Sequence, residues 1–199
     1  MISQRDGLGN YLNGLGLLGT GVEVGVFRGE FAQQILKTWR GRKLILVDTW
    51  RHLHDYHDSW NLSDVAMEKN YRLTLARLAC FTDRAVIHRM RSEDAALSFP
   101  DASCDFIYLD ANHAYEAVKR DLQQWFPKLR VGGLMSGHDY FDAMADECLD
   151  PILGESTQHL RNDQLTSYGV RRAVDEFTAS LGVTPAVTEE RLPSWYFVK

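Results

Sequence analysis

The stretch from Gly21 to Trp50 reads Gly-Val-Glu-Val-Gly-Val-Phe-Arg-Gly29, then Glu30-Phe-Ala-Gln-Gln-Ile-Leu-Lys-Thr-Trp39, then Lys43-Leu-Ile-Leu-Val-Asp-Thr-Trp50. An apolar, β-branched run comes first and breaks at two glycines. Phe31, Ile35 and Trp39 then recur at helical spacing, with Leu36 beside them. A second run is apolar on consecutive positions, Leu44 to Val47, which is the pattern of a strand covered on both faces. Strand, helix and strand in that order predict a right-handed crossover between parallel neighbours.

The same alternation extends outward. Strand-like runs are expected at Val22–Phe27, Lys43–Val47, Ala85–Met90, Asp105–Leu109 and Gly133–Gly137. Between them, Met67, Tyr71, Leu75 and Leu78 make one helical stripe, and Tyr115, Val118, Leu122, Trp125 and Leu129 a more regular one. Glu116, Lys119, Arg120 and Asp121 would then lie on a solvated outer face. A helix with Val170, Ala173, Val174, Phe177 and Leu181 is stopped by Gly182. The tail, Val183–Thr188 and Ser194–Val198, reads as two strands. The expectation is an α/β, doubly wound, mostly parallel seven-stranded sheet with an antiparallel C-terminal strand, in one domain over 1–199. Residues 1–20 form an N-terminal helical segment. The polar stretch 141–168, with breakers Pro151 and Gly154 and acids Asp142, Asp146, Glu147 and Asp150, reads as an insertion or lid.

Composition narrows the setting. The chain of 199 residues is 45% hydrophobic and 25% charged, with a formal charge of −5 and no basic stripe. That argues against a nucleic-acid or anionic-membrane partner. Cys80, Cys104 and Cys148 form no CxxC pair, so neither a disulfide framework nor a thiolate zinc site is expected, and a cytoplasmic setting fits. Cys104, just before an apolar run, reads as a small buried thiol. No apolar run approaches the roughly 20 residues of a membrane span, and no secretory signal is visible.

In an open parallel sheet, ligands bind beyond the carboxyl ends of the strands. The first strand delivers Glu23 and the Gly25–Gly29 turn to that edge, and the second Asp48, Thr49 and Trp50. The third delivers Ser92, Glu93 and Asp94, the fourth Asp110 to His113, and the fifth His138, Asp139 and Tyr140. Any one of these could be an ordinary cap or turn former. Together they place an acid or imidazole at nearly every strand end, as a crevice for cofactor and substrate requires. Asp48 is placed to take both hydroxyls of a ribose. NAD would need Gly-x-Gly-x-x-Gly, and Phe27 stands where the pyrophosphate would press on the middle glycine. Gly-x-x-x-Gly preceded by Glu23 suits a cofactor with no pyrophosphate and a cationic sulfonium, namely S-adenosylmethionine.

These motifs resemble the class I methyltransferases. Asp105-Phe-Ile-Tyr-Leu-Asp-Ala-Asn-His-Ala-Tyr-Glu116, Pro127-Lys-Leu-Arg-Val-Gly-Gly133, Gly137-His-Asp-Tyr140 and the ending Ser194-Trp-Tyr-Phe-Val-Lys199 sharpen the likeness. They are similar to the small bacterial methyltransferase family 24, related to metal-dependent O-methyltransferases. The resemblance implies that Glu23, Gly25 and Gly29 line the methionine end, with Phe27 beside them. Asp48, with Thr49 next to it, would hold the ribose, and Ser92 and Glu93 would lie beside the adenine. Trp50 would stack near the adenine or simply wall the crevice. It further implies a metal held by Asp110, His138 and Asp139, with Asp110 also beside the cofactor and His113 as general base. His138 departs from the relatives' usual carboxylate; it suits Mn²⁺ better than Mg²⁺ and leaves metal assistance open against a plain substrate-binding or capping role. The expected activity is O-methylation of a small hydroxylated acceptor, a sugar or natural-product hydroxyl. A non-catalytic S-adenosylmethionine-binding domain and an NAD-dependent dehydrogenase are the alternatives, and the tail strands leave room for a homo-oligomer.

The loop Arg51-His-Leu-His-Asp-Tyr-His-Asp58 brings in a rival from another enzyme class. A dinuclear hydrolase would need Asp directly before the third histidine, where Tyr56 stands; a loop closing over the adenosine or shaping the acceptor pocket fits better. His88 reads as structural, His159 as solvated, Arg171 and Arg172 as surface charge, and Trp39 and Trp125 as core.

Overall fold

The computed structural model describes residues 1–56, 58, 60–143 and 168–199. Most of the 141–168 stretch, with Cys148 and His159, therefore lies outside the described residues, as does His57.

A 3₁₀ turn at Arg5–Gly7 leads into α1 (Leu8–Gly14), the expected N-terminal helical segment. The alternation then runs β1 (Thr20–Val24), α2 (Glu30–Thr38), β2 (Lys43–Asp48), α3 (Asp64–Arg77), β3 (Ala85–Arg89), α4 (Ser92–Leu97), β4 (Cys104–Leu109), α5 (Tyr115–Trp125) and β5 (Leu129–Gly137). A short pair, β6 (Asp142–Ala143) and β7 (Tyr168–Gly169), precedes α6 (Val170–Ser180), β8 (Ala186–Val187) and β9 (Trp195–Val198). One seven-stranded sheet has the order β3-β2-β1-β4-β5-β9-β8. Its first five strands are parallel, β9 pairs antiparallel with β5, and β8 pairs antiparallel with β9.

Alternation along the strands builds two cores. Val22, Val24, Ile45, Val47, Ile107, Leu109 and Met135 face one way, against Val118, Leu122 and Trp125 of α5 and Val174 of α6. Leu44, Leu46, Phe106, Tyr108 and Leu134 face the other way, against Leu12 of α1 and Phe31, Ile35 and Leu36 of α2. All six residues of β4 are buried, Cys104 among them. Trp39 and Trp125 are buried as expected. His88 is partly buried on β3 beside Phe99. Gly182 takes a left-handed φ of 68° just past α6. Arg171 and Arg172 are exposed and pair with Asp175 and Glu176 one turn on.

Two stripes differ from expectation. On α3 the buried positions are Met67, Asn70 and Thr74, while Leu75 is 42% exposed. The polar pair faces inward because it has work there. Asn70 Oδ1 accepts from Arg28 Nε at 3.1 Å, and Thr74 Oγ1 donates to the Phe27 carbonyl at 3.1 Å. On α5, Asp121 is buried rather than solvated, because its Oδ1 accepts a 2.6 Å hydrogen bond from Ser92 Oγ.

Strand order reverses between β1 and β4, the switch point at which such sheets bind ligands. Gly25 sits there with φ +87°, where a Cβ would lie 2.0 Å from the Asp110 carbonyl oxygen. Glycine alone fits that space and that dihedral. β1 accordingly ends at Val24, not at Phe27.

Candidate active site

A cavity of about 400 Å³ opens over the carboxyl ends of the parallel strands. Glu23, Gly25, Phe27, Asp48, Thr49, Ser92, Glu93, Asp110, His113, His138 and Asp139 all line it. Gly29 and Trp50 do not. Gly29 is the left-handed residue before α2, set against Thr74, so its part is conformational. Trp50 is fully buried behind the loop, tilted against Tyr71 at 5.1 Å, and its Nε1 donates to the Phe27 carbonyl at 2.7 Å. It braces the crevice from behind and is not among the residues that wall the cavity.

The loop after β1 is held in a costly shape. Among the described residues four non-glycines have left-handed φ, and three of them, Phe27 (52°), Trp50 (43°) and Asp139 (54°), sit at the carboxyl ends of β1, β2 and β5. Each costs about 1–2 kcal/mol and survives only where its surroundings over-determine it. Asp48 supplies much of that constraint. Its Oδ2 accepts from the Val26 and Phe27 amides, each at 2.9 Å, and its Oδ1 accepts from the Trp50 amide at 2.7 Å. A carboxylate has about four acceptor sites, so Asp48 has room for one further donor rather than for both ribose hydroxyls.

Glu23 lies on the cavity floor, 3% exposed, and its Oε2 has no hydrogen-bond partner. Burial, and then the nearby Asp110 charge, push its carboxyl well above the usual carboxylate range. At the other end Ser92 Oγ links two helices, accepting from Trp125 Nε1 at 2.9 Å while donating to Asp121. Burial lifts the Asp121 carboxyl to about 6. Glu93 Oε1 accepts from Arg91 Nε at 2.7 Å, and Arg91 also grips both oxygens of Asp55, at 2.8 and 3.3 Å.

The ends of β4 and β5 bring four titratable groups together. His113 Nε2 lies 3.1 Å from Asp139 Oδ2 and 3.7 Å from Asp110 Oδ1. His138 Nδ1 lies 3.0 Å from Asp139 Oδ1 and 3.8 Å from Asp110 Oδ1. The other face of the His113 ring system is fixed by a residue the sequence did not single out. Asp58 Oδ2 stands 3.0 Å from His113 Nδ1, and both residues are buried. Tyr168 stacks on the imidazole at 4.6 Å with 5° between the planes. Burial works against the charged form of His113, but the Tyr56 phenol oxygen and the carboxylates of Asp110, Asp139 and Asp58 outweigh it and hold the imidazole well above its usual range. Burial likewise opposes ionisation of Asp139, and hydrogen bonds from His113 and His138 bring its carboxyl far below the usual value. His138 is raised in turn, against burial, by Asp139 and Asp110.

The histidine-rich loop lines the cavity through Arg51, Leu53, Asp55, Tyr56, Trp60 and Asn61. Tyr56 Oη donates to the Ala111 carbonyl at 3.1 Å, tying the loop to the end of β4. His52 and His54 pack edge to face at 5.3 Å, and neither belongs to a cluster of metal-ligating groups among the described residues. The converging donors there are Asp110, His113 and Asp139, within 4.8 Å of one another. The imidazole in that set is His113, where the resemblance pointed to His138.

A doubly wound sheet with its cavity at a glycine-turned switch point, Glu23 next to last on β1 and Asp48 closing β2, has the layout of the class I methyltransferases. A family described as a methyltransferase domain, methyltransferase family 24, matches residues 22–140, more than half of the chain, and the protein belongs to it. It is a methyltransferase of the S-adenosylmethionine-dependent type, which sets aside the dehydrogenase, the dinuclear hydrolase and the non-catalytic binding domain. No match was found among curated protein sequences. Among solved structures, a Staphylococcus aureus protein assigned as a caffeoyl-CoA O-methyltransferase superposes with a TM-score of 0.67 at 13% identity, over 100% of this chain and 85% of that one. The O-methyltransferase from Bacillus cereus, solved in complex with SAH, gives 0.60 at 15% identity, over 98% and 80%. TomG from Streptomyces achromogenes, an O-methyltransferase of tomaymycin synthesis in complex with SAM, gives 0.58 at 13%, over 98% and 79%. At these identities the likeness concerns the fold. No helix among the described residues is long and apolar enough to cross a membrane.

Proposed function

We propose that the protein transfers the methyl group of S-adenosylmethionine to a hydroxyl oxygen of a small acceptor. The observation that carries this is the Asp110–His113–Asp139 cluster, with its imidazole and one carboxylate buried, opening into the same cavity as Glu23, Gly25 and Asp48. The chain fits the donor. Glu23 offers an unpartnered buried carboxylate to a cationic methionine end, Asp48 keeps one acceptor site for the ribose, and Ser92 and Glu93 border the place of the adenine. Phe27 and Thr49 line the wall between.

Methyl transfer is an in-line displacement: the carbon–sulfur bond breaks as the carbon–oxygen bond forms, leaving S-adenosylhomocysteine. Much of the rate comes from holding the two atoms in line. The hydroxyl proton needs a destination. Asp58 fixes the His113 ring with Nδ1 turned away from the cavity, so in its neutral form His113 accepts the proton at Nε2.

The cluster also fits a divalent cation. His113 Nε2 and Asp139 Oδ1 are buried and face only other members of the cluster, at 3.1 and 3.0 Å, and two carboxylates with an imidazole suit Mn²⁺ better than Mg²⁺. Asp110 and Asp139 would hold it, with His138 if His113 Nε2 is kept for the proton or with His113 Nε2 in its place, and it would lower the pKa of the acceptor hydroxyl. Calorimetry with S-adenosylhomocysteine, and methyl transfer to a panel of phenolic and sugar hydroxyls, test the proposal. His113→Ala should cut turnover by about 10²–10⁴ while binding of S-adenosylhomocysteine stays within a few-fold. Unchanged turnover in that variant would overturn the mechanism. Loss of turnover in EDTA, restored by Mn²⁺ together with a Mn²⁺-dependent rise in melting temperature, marks the cation-assisted form.

A further inference from the structure

One large apolar surface of the cavity wall is left uncovered. Trp60 lines the cavity and is 42% exposed, whereas the other four tryptophans, Trp39, Trp50, Trp125 and Trp195, are buried. Its backbone is fixed by the same carboxylate that fixes the imidazole. Asp58 Oδ1 accepts from the Trp60 amide at 2.9 Å, and Asp58 Oδ2 stands 3.0 Å from His113 Nδ1. The Asp58 carbonyl closes this turn on the Asn61 amide at 3.0 Å. The indole meets the Phe27 ring edge to face, with 5.3 Å between centroids. Trp60 is thus tied to the glycine turn after β1 on one side and, through Asp58, to His113 on the other. That is where the donor's methyl carbon and the acceptor oxygen have to meet.

The polar groups beside it are engaged already. Among the described residues from 53 to 61, Asp55 is held by Arg91 at 2.8 Å, and Tyr56 Oη donates to the Ala111 carbonyl at 3.1 Å. The Asn61 amide is turned back on the loop. Its Oδ1 accepts from the Leu53 amide at 2.9 Å, and its Nδ2 donates to the Leu53 carbonyl at 2.7 Å and to the Tyr56 carbonyl. What this wall offers a ligand is the Leu53 side chain and the indole of Trp60. A sugar carries a hydroxyl on nearly every carbon, and each one turned to such a wall would lose water without gaining a partner. A phenol has a flat apolar face and a single hydroxyl, the one that reacts. Aromatic pairs also gain beyond the area they cover.

We propose that Trp60 selects the acceptor, its indole face being the platform on which an aryl ring lies while the phenolic hydroxyl points at His113 Nε2. This rests on the hydroxyl-directed methyl transfer put forward above and narrows its acceptor to aryl hydroxyls.

The test is steady-state methyl transfer by the full chain with phenol, cyclohexanol and methyl glucoside as probes, each read as substrate or as competitive inhibitor, beside calorimetry with S-adenosylhomocysteine. The wild type should favour phenol. Trp60→Ala should raise the KM for phenol by about 10- to 100-fold, with kcat and S-adenosylhomocysteine affinity within a few-fold of wild type. Cyclohexanol, similar in size but puckered, should lose markedly less, and Trp60→Phe should recover most of the phenol KM. An unchanged phenol KM in Trp60→Ala overturns the platform, and so does a wild type that favours methyl glucoside. Loss of S-adenosylhomocysteine affinity in step with the phenol KM overturns it too, because the indole would then cover the donor. If aniline is methylated and none of the hydroxyl probes is, the hydroxyl reading fails, while a raised aniline KM in Trp60→Ala still upholds the platform.

Discussion

Around the ends of β1 and β2 the polar side chains are turned on the backbone; around the ends of β4 and β5 they are turned on one another. Asp48, Trp50 and Thr74 all hold the loop through Phe27, in a conformation that L-residues avoid. Asp110, His113, His138 and Asp139 instead share charge within about 4 Å. The first arrangement gives a rigid seat whose shape is fixed before a ligand arrives. The second gives a charged centre whose protonation depends on what it meets. A seat fails by losing shape, and a centre by losing charge or orientation.

Gly25→Ala attacks shape alone, and the largest effect is expected there. The added Cβ would meet the Asp110 carbonyl oxygen at 2.0 Å and would have to sit at φ +87°. Binding of S-adenosylhomocysteine should fall by about 100-fold or more, with a lowered melting temperature from the left-handed backbone cost. Binding within a few-fold of wild type would mean that the seat adapts and that the comparison drawn above is wrong. Asp58→Asn attacks the centre and leaves the seat alone. It removes the charge that fixes the His113 ring but keeps the shape, so kcat should fall by about 10- to 100-fold with donor binding and KM nearly unchanged. Equal losses in kcat and in donor affinity would show that the loop and the seat are one unit.

Asp121→Asn has the smallest expected effect and probes the border between the regions through stability. Asp121 is pushed up to about 6, above the ordinary 3.8 of an aspartate. The folded protein therefore keeps this proton longer than the unfolded chain does. The group's contribution to stability is intact below about pH 4, declines as pH rises between about 4 and 6, and is lost above that. The asparagine variant should flatten that slope, by up to about 3 kcal/mol across the window, read as melting temperature against pH. An unchanged slope would place the titration elsewhere.

The strands, the glycine turn and the acids at strand ends were legible because each is written within a few consecutive residues. Leu44 to Val47 are apolar in a row and end on Asp48; Phe106 to Leu109 do the same and end on Asp110. The supports were illegible because their partners lie far along the chain. Asp58 meets His113 across 55 residues and Asp121 meets Ser92 across 29. Nothing local separates such an acid from a solvated one. On α3, Met67 to Leu78 offered two overlapping faces at helical spacing, and the polar one won because the backbone at Phe27 and the Arg28 side chain needed partners. Trp50 misled for a related reason: an aromatic beside a ribose-binding acid suggests stacking, yet its indole N–H was drawn inward by the Phe27 carbonyl.

The pairing of β6 with β7 bears on how such an enzyme could be varied. Asp142 lies opposite Gly169 and Ala143 opposite Tyr168, and the Gly169 amide donates to the His113 carbonyl at 2.9 Å. The chain thus leaves and re-enters at a single seam, a few ångströms from the His113 imidazole. Because closure entropy grows slowly with length, a seam of this kind tolerates exchange of what it joins while the sheet stays as it is. For an engineer it is a socket: a segment grafted between Ala143 and Tyr168 would arrive beside His113 without either core being repacked.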